Sequence, residues 1–200
     1  MFSIVIQAGG QSRRMGQDKA LLPFFEEPLI QRVLDRVRPI ADELLVTTNQ
    51  PDSYRFLDVP LYTDLVPRRG ALGGLFTALT AASHPLVAVL ACDMPFVNAT
   101  LLTAERAILQ TTLSDVVIPQ TIEGLEPFHA IYRKEVCLPA VQSAMNKNHW
   151  RVDAWFDQVK LYCLTSSMIE QYDPEMLSFF NINTPEDLKE AIRIEEGLNH

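Results

Sequence analysis

Residues 3–22 read Ser-Ile-Val-Ile-Gln-Ala-Gly-Gly-Gln-Ser-Arg-Arg-Met-Gly-Gln-Asp-Lys-Ala-Leu-Leu. The stretch starts as a β-branched apolar run, Ile4-Val5-Ile6, turns through Gly9 and Gly10, and leaves as a charged segment ending at Lys19. That order predicts a strand feeding a phosphate-binding loop. Paired glycines allow positive φ and let backbone N–H groups converge on an anion, and Arg13, Arg14 and Lys19 add mobile positive charge. Three of the 17 basic residues of the chain fall within these seven positions. Spacing excludes two common phosphate loops. A dinucleotide fingerprint needs G-x-G-x-x-G and a Walker A loop needs G-x-x-x-x-G-K-[ST], whereas here five residues separate Gly10 from Gly16 and Gln17-Asp18 follow. The glycines alone are also satisfied by a plain strand-to-helix turn.

Composition limits what such a loop can serve. A chain of 200 residues suits a single α/β domain, and a hydrophobic fraction of 48% is that of a globular protein. A net charge of −8 argues against generic attraction to nucleic acid or an anionic membrane. The local basicity of the first loop therefore points to a small anionic ligand held at one site. No apolar run approaches the roughly 18 residues of a membrane span. Cys92, Cys137 and Cys163 are too scattered for a disulfide framework or a Cys-pair zinc site, and the histidines show no ligand spacing. With no basic leader-like start, the expectation is a reducing cytoplasm.

Outward from the loop, 28–40 has the apolar spacing of a helix, through Leu29, Ile30, Val33, Leu34, Val37 and Ile40. A strand is expected at 44–48, giving a parallel pair with a right-handed crossover. Residues 57–64 form a short strand candidate, interrupted by Pro60, that delivers Asp64 to its end. A second glycine cluster, Pro67-Arg68-Arg69-Gly70-Ala71-Leu72-Gly73-Gly74, opens an apolar helix; its glycines suit close approach of a ligand or tight packing, and the arginines favour the ligand.

The most continuous apolar run, 85–92, is the candidate central strand. It ends at Asp93, at the carboxyl edge where open α/β sheets bind ligands. A hard carboxylate there suits Mg²⁺, which bridges to substrate phosphates while keeping several waters; capping the next helix is the alternative role. Further elements follow: a helix at 100–110, a strand at 115–119, a strand at 126–133 expected antiparallel because the connection is too short for a helical crossover, a helix at 134–145 and a strand at 160–165. The segment 146–156 has amphipathic helical character, either a surface helix or a contact to a bulky second substrate. Thr184-Pro185-Glu186-Asp187 is a helix-start signature, and the tail beyond Arg193 is expected to fray. Asn181 and Asn183, read as alternate positions of one strand, would share a face and offer amides to a heterocycle or phosphate.

Together these motifs resemble the molybdenum cofactor guanylyltransferase family, among the nucleotidyltransferases of the glycosyltransferase-A-like fold. The family pattern Leu-Ala-Gly-Gly-x-Ser-x-Arg-Met-Gly-x-Asp-Lys is matched by residues 7–19 with one departure, Gln7 in place of Leu. That change is harmless if position 7 contributes backbone to the nucleotide, and bears on selectivity if its side chain faces the base. The resemblance continues through Gly70–Leu75, Cys92-Asp93-Met94-Pro95 and Asn181-Ile182-Asn183-Thr184-Pro185-Glu186-Asp187-Leu188.

The resemblance implies a Rossmann-like, mostly parallel central sheet flanked by helices, with residues 1–97 a nucleotide-binding half and 98–200 an acceptor-binding half. It implies GTP contacts at Gln7, Ala8, Gly9, Gly10, Lys19, Asp64 and Asp93, with a second-strand contact at Thr47 or its neighbour Asn49. Magnesium at Asp93 and pterin contacts from Arg14, Asn181 and Asn183 follow in the same way. Lys19, Asp93 and Arg14 are the expected catalytic residues, GTP and molybdopterin the substrates, and the partners proteins that deliver the pterin or receive the finished cofactor. The competing readings are a nucleotidyltransferase for CTP or a sugar-phosphate acceptor, and a non-catalytic nucleotide- or cofactor-binding protein.

Overall fold

The structure, a computed structural model, describes residues 1–8, 18–67 and 69–198. The expected loop residues Gly9, Gly10, Arg13 and Arg14 lie outside the described residues, as does Arg68. Strand β1 (Phe2–Gln7) runs through the middle of the sheet, β2 (Pro23–Phe24) and β3 (Glu27–Pro28) form a small separate hairpin, and α1 (Leu29–Val37) leads to β4 (Glu43–Thr47). Then come β5 (Leu61–Tyr62), α2 (Gly70–Ala81), β6 (Leu86–Ala91), α3 (Ala99–Thr111), β7 (Val116–Thr121), β8 (Gly124–Leu125) and β9 (His129–Arg133). The chain closes with α4 (Lys134–Asn146), β10 (Leu161–Leu164), α5 (Ser166–Ile169) and α6 (Pro185–Leu198).

The strand order is β10-β7-β9-β6-β1-β4-β5, with β8 attached to β7. β1 pairs in parallel with β4 and β6, which places Gln7 level with Thr47 and Ala91 at the carboxyl edge. β9 runs antiparallel to β6 and β7, as the short connection requires. Alternation along β1 divides the core: Ile4 and Ile6 pack with Ile30, Val33 and Leu34 of α1 and with Leu101 and Leu102 of α3. On the other face Val5 packs with Leu72, Leu75 and Leu79 of α2 and Val141 of α4. A third cluster joins Leu22, Phe24 and Phe96 to Ile182 and Ala191, so the C-terminal helix packs against the β2–β3 hairpin and the segment after β6.

Several expectations need correction. The helix at 28–40 gives way to a 3-10 turn at Arg38–Ile40, where Pro39 carries no N–H to continue the helical ladder. The strand at 57–64 shrinks to Leu61–Tyr62: Pro51–Leu57 is 3-10 helix, and Asp58 at φ 50 turns the chain. No regular helix covers 146–156. Asn148 takes the left-handed conformation (φ 59) that ends α4, and the following turns bury Trp155, whose Nε1 donates to the Val152 carbonyl at 2.8 Å. Asn181 and Asn183 are not on a strand; they follow a 3-10 turn at Leu177–Phe179 in irregular backbone. The tail stays helical to Leu198.

Among the buried polar groups, Glu105 on α3 and His129 on β9 are both 0% exposed, and His129 Nε2 lies 3.7 Å from Glu105 Oε1, too far for a hydrogen bond. Among the described residues neither side chain has a hydrogen-bond partner. Burial pushes the Glu105 carboxyl well above its usual value and pulls His129 down to about 4, so burial favours the neutral form of each. The folded state therefore keeps the Glu105 proton at pH values where the unfolded chain has released it. Stability from this group is complete below about pH 4.5 and is lost as pH rises toward the folded value.

Two outcomes are expected from urea unfolding. Leu90→Ala, near the carboxyl end of β6, should cost about 2–5 kcal/mol, the range for removing a buried leucine side chain. Glu105→Gln removes the titration, so the variant should lose less stability than the parent as pH rises above about 4.5; equal losses would show that Glu105 is not held protonated.

Candidate active site

Lys19 opens a one-turn 3-10 helix, Lys19–Leu21, whose Ala20 is fully buried in the core. Asp18 caps this turn, its Oδ1 accepting from Ala20 N at 3.1 Å. Rooted in this way, Lys19 Nζ donates to Asp93 Oδ2 at 3.4 Å and to Asn183 Oδ1 at 2.6 Å. Residues from the first loop, the end of the central strand and the C-terminal segment thus meet on one ammonium group. The Lys19 and Asp93 side chains are each 19% exposed, so the pair opens to solvent on one side only.

Asp93 sits two residues past β6. Its neighbour Cys92 donates its N–H to the Gln7 carbonyl at 3.2 Å, and its own carbonyl accepts from Ile182 N at 3.0 Å. The second bond is a backbone hydrogen bond that ties the Asn181–Asn183 segment to the sheet edge. Burial raises the Asp93 carboxyl above its usual value, and Lys19 works against that rise. A mostly buried carboxylate with one long ammonium contact keeps oxygen lone pairs for a further cation. Among the described residues no cluster of three or more His, Cys, Asp or Glu side chains could hold a metal by itself.

Asn183 is set by the helix behind it. Asp187 Oδ2 accepts from the N–H groups of Asn183 and Thr184, both at 2.8 Å, while Thr184 Oγ1 accepts from Asp187 N at 3.1 Å. This reciprocal cap matches the helix-start signature read at Thr184 and Pro185 and holds Asn183 toward Lys19. Asn181 behaves differently: its Nδ2 donates to the Phe179 carbonyl at 3.0 Å. The two amides therefore do not act as a matched pair; one bonds Lys19 and the other folds onto its own backbone.

The remaining expected residues line the same edge. Ala8 is buried and its N–H donates to the Thr47 carbonyl at 2.8 Å. Thr47 is 3% exposed, whereas its neighbour Asn49 is exposed and donates from Nδ2 to Asp64 Oδ2 at 2.7 Å. The structure thus joins Asp64 to Asn49 rather than to Thr47. Gln7 turns its side chain toward α2, and its Nε2 is buried without a hydrogen-bond partner among the described residues. A Cβ at Gly73 would meet Arg69 Cβ at 3.0 Å and the Val66 carbonyl at 3.2 Å, so packing accounts for that glycine; one at Gly74 would meet Gln7 Oε1 at 2.9 Å, the end of a side chain that can move. Gly70 stands at φ +60, where a side chain is strained. Arg69 lies over the Trp150 ring, 4.1 Å from its centroid.

Sequence reasoning missed Asp18, Tyr54 and Asp187. Asp18 lay in the quoted motif but carried no assignment beyond it, and Asp187 was read only as part of a helix start. Tyr54 Oη, which donates to Asp18 Oδ2 at 2.6 Å, had no local signal, since it arrives from a segment 36 positions away.

Residues 4–159 match the model of the MobA-like NTP transferase domain. A protein of Natranaerobius thermophilus named "probable molybdenum cofactor guanylyltransferase" is 35% identical, over 94% of each chain. The molybdenum cofactor guanylyltransferase of Desulfosudis oleivorans is 31% identical over 94% of this chain and 92% of its own. The crystal structure of molybdopterin-guanine dinucleotide biosynthesis protein A from Archaeoglobus fulgidus superposes with a TM-score of 0.83 at 25% identity, covering 98% of this chain and 99% of that one. A 2-C-methyl-D-erythritol 4-phosphate cytidylyltransferase from Thermus thermophilus shares the fold, with a TM-score of 0.70 at 19% identity over 96% of this chain and 98% of that one. The sheet edge, the Lys19–Asp93 contact and these likenesses agree: the chain belongs to the family of MobA-like NTP transferases.

Proposed function

We propose that the protein transfers GMP from GTP to the terminal phosphate of molybdopterin. A phosphate oxygen of the pterin attacks the α-phosphorus of GTP, the bond from that phosphorus to the β-bridging oxygen breaks, and pyrophosphate leaves with the electron pair. The product is the guanine dinucleotide. The carrying observation is the double contact of Lys19 Nζ, with Asp93 on the nucleotide side and Asn183 on the acceptor side. The choice of GTP and molybdopterin rests on the printed names of the relatives.

A phosphate monoester is already nucleophilic at neutral pH, so no side chain has to remove a proton. What remains is positioning and charge neutralisation. Lys19 exchanges its protein partners for phosphate oxygens and balances charge building on the α-phosphate and the leaving group. The family pattern assigns the backbone of Gln7, Ala8, Gly9 and Gly10 to the nucleotide, with Asp64 and the adjoining Asn49 toward the nucleoside and Thr47 at the strand end. It assigns Arg14, Asn181 and Asn183 to the incoming pterin phosphate; of these Asn183 already bonds Lys19, and Asn181 has to give up its bond to the Phe179 carbonyl. Residues 1–97 act as the nucleotide half and 98–200 as the acceptor half.

Asp93 fits Mg²⁺, because that ion is commonly held by one or two carboxylates together with substrate phosphates and not by an all-protein cage. Bound there, it would neutralise charge on the triphosphate oxygens. The carboxylate is half-desolvated, and its long contact to Lys19 leaves it free to change partners. Proteins that deliver the pterin or receive the product complete the proposed set of partners.

Asp93→Ala should abolish pyrophosphate release from GTP in the presence of molybdopterin while the melting temperature is preserved; near-normal turnover would remove the metal-binding role. Lys19→Ala should lower kcat by about 10²-fold or more, the scale for loss of one charge-stabilising donor. An effect confined to KM would mean that Lys19 binds ground and transition states alike. Across a panel of nucleoside triphosphates, preference for CTP would overturn the choice of base.

A further inference from the structure

We propose that Tyr54 and Asp18 form a positioning relay for Lys19. The proposal rests on the role given to Lys19 above and concerns how that ammonium is aimed. Tyr54 stands on the 3-10 helix Pro51–Leu57 and is 0% exposed. Its ring sits in the core cluster that also holds Ala20 and Val46, and its hydroxyl donates to Asp18 Oδ2 at 2.6 Å. The other oxygen of the same carboxylate accepts from Ala20 N at 3.1 Å. Asp18 is thereby held from both sides, by a rigid aromatic and by the turn that begins at Lys19.

Burial and the adjacent Asp18 carboxylate push the Tyr54 phenol well above its ordinary value, so it remains the donor and Asp18 the acceptor. Ala20 is fully buried in the core, and Leu22 N donates to the Lys19 carbonyl at 3.1 Å to close the turn. Lys19 has a long flexible stem, and from this turn its Nζ reaches both Asp93 and Asn183. A buried phenol fixing a carboxylate, which in turn fixes the first residue of the turn, supplies the preorganisation that a charge-stabilising group needs. Tyr54 also sits on the segment between β4 and β5, so the relay joins the wall carrying Asn49 and Asp64 to the phosphate lysine.

The relay is tested by a double-mutant cycle on kcat with GTP and molybdopterin, using Lys19→Ala, Tyr54→Phe and the double variant, with melting temperatures recorded for all three. Tyr54→Phe removes one hydroxyl and should lower kcat by about tenfold or more, since small misplacements of a reacting group are costly, with KM for GTP within about twofold. In the Lys19→Ala background the same change should have almost no further effect, because there is no ammonium left to aim. A tyrosine acting only on the stability of the fold would lower kcat by the same factor in both backgrounds, and that result overturns the relay while leaving the role of Lys19 intact. A Lys19→Ala variant with parental kcat would overturn the lysine assignment and the relay together. Should Tyr54→Phe lose its folded transition, Asp18→Asn and Asp18→Ala carry the test. The amide keeps an oxygen for Ala20 N and a polar group for Tyr54, so Asp18→Asn should stay within about threefold of the parent while Asp18→Ala matches the tenfold loss; equal effects of the two would contradict the relay.

Discussion

The ammonium of Lys19 is the point on which the site depends. It is reached from three parts of the chain that are far apart in sequence: the turn after the first loop, the end of β6 at Asp93, and Asn183 before α6. An ion pair this sheltered costs more to break than a surface one, because either partner alone is left poorly solvated. The upward push of burial on Asp93, opposed by Lys19, is that balance seen from the carboxylate. In the proposed reaction a phosphate takes the place of Asp93 as the partner of the ammonium.

Around this contact the scaffold is rigid where geometry matters. β1 and β6 are buried on both faces, and their ends stand level in the sheet, so the edge that carries Gln7, Ala91 and Asp93 has little freedom. The backbone bond from Ile182 N to the Asp93 carbonyl fixes the C-terminal segment to that edge, and the cap between Asp187 and Thr184 fixes Asn183 to α6. The third core cluster, in which Phe24 and Phe96 meet Ile182 and Ala191, gives the closure its apolar support. The elements on either side of Lys19 thus share one hydrogen-bonded frame.

Much of this was legible in the sequence where a local pattern carried the physics. The apolar run at 85–92, the 3–4 spacing of Leu29 to Val37 and the Thr184-Pro185 start each encode burial or capping within a few residues, and the structure has β6, α1 and α6 there. The antiparallel β9 followed from the shortness of its connection. What escaped was set by distant partners or by single backbone choices. Asn181 and Asn183 alternate like strand residues, yet they find no neighbouring strand. Asn148 ends α4 where amphipathic character suggested more helix. Tyr54 matters through a carboxylate 36 positions earlier, and no periodicity announces such a meeting. Of the second glycine cluster, which suits a ligand or tight packing, Gly73 is crowded by Arg69 and the Val66 carbonyl, a contact that no local pattern encodes.

The most direct measurement is the mass of the product formed when the protein is incubated with molybdopterin, GTP and Mg²⁺. The account predicts one new species, the molybdopterin guanine dinucleotide, appearing in step with an equal amount of pyrophosphate. GTP bound without product, or cleaved without transfer to the pterin, would contradict it.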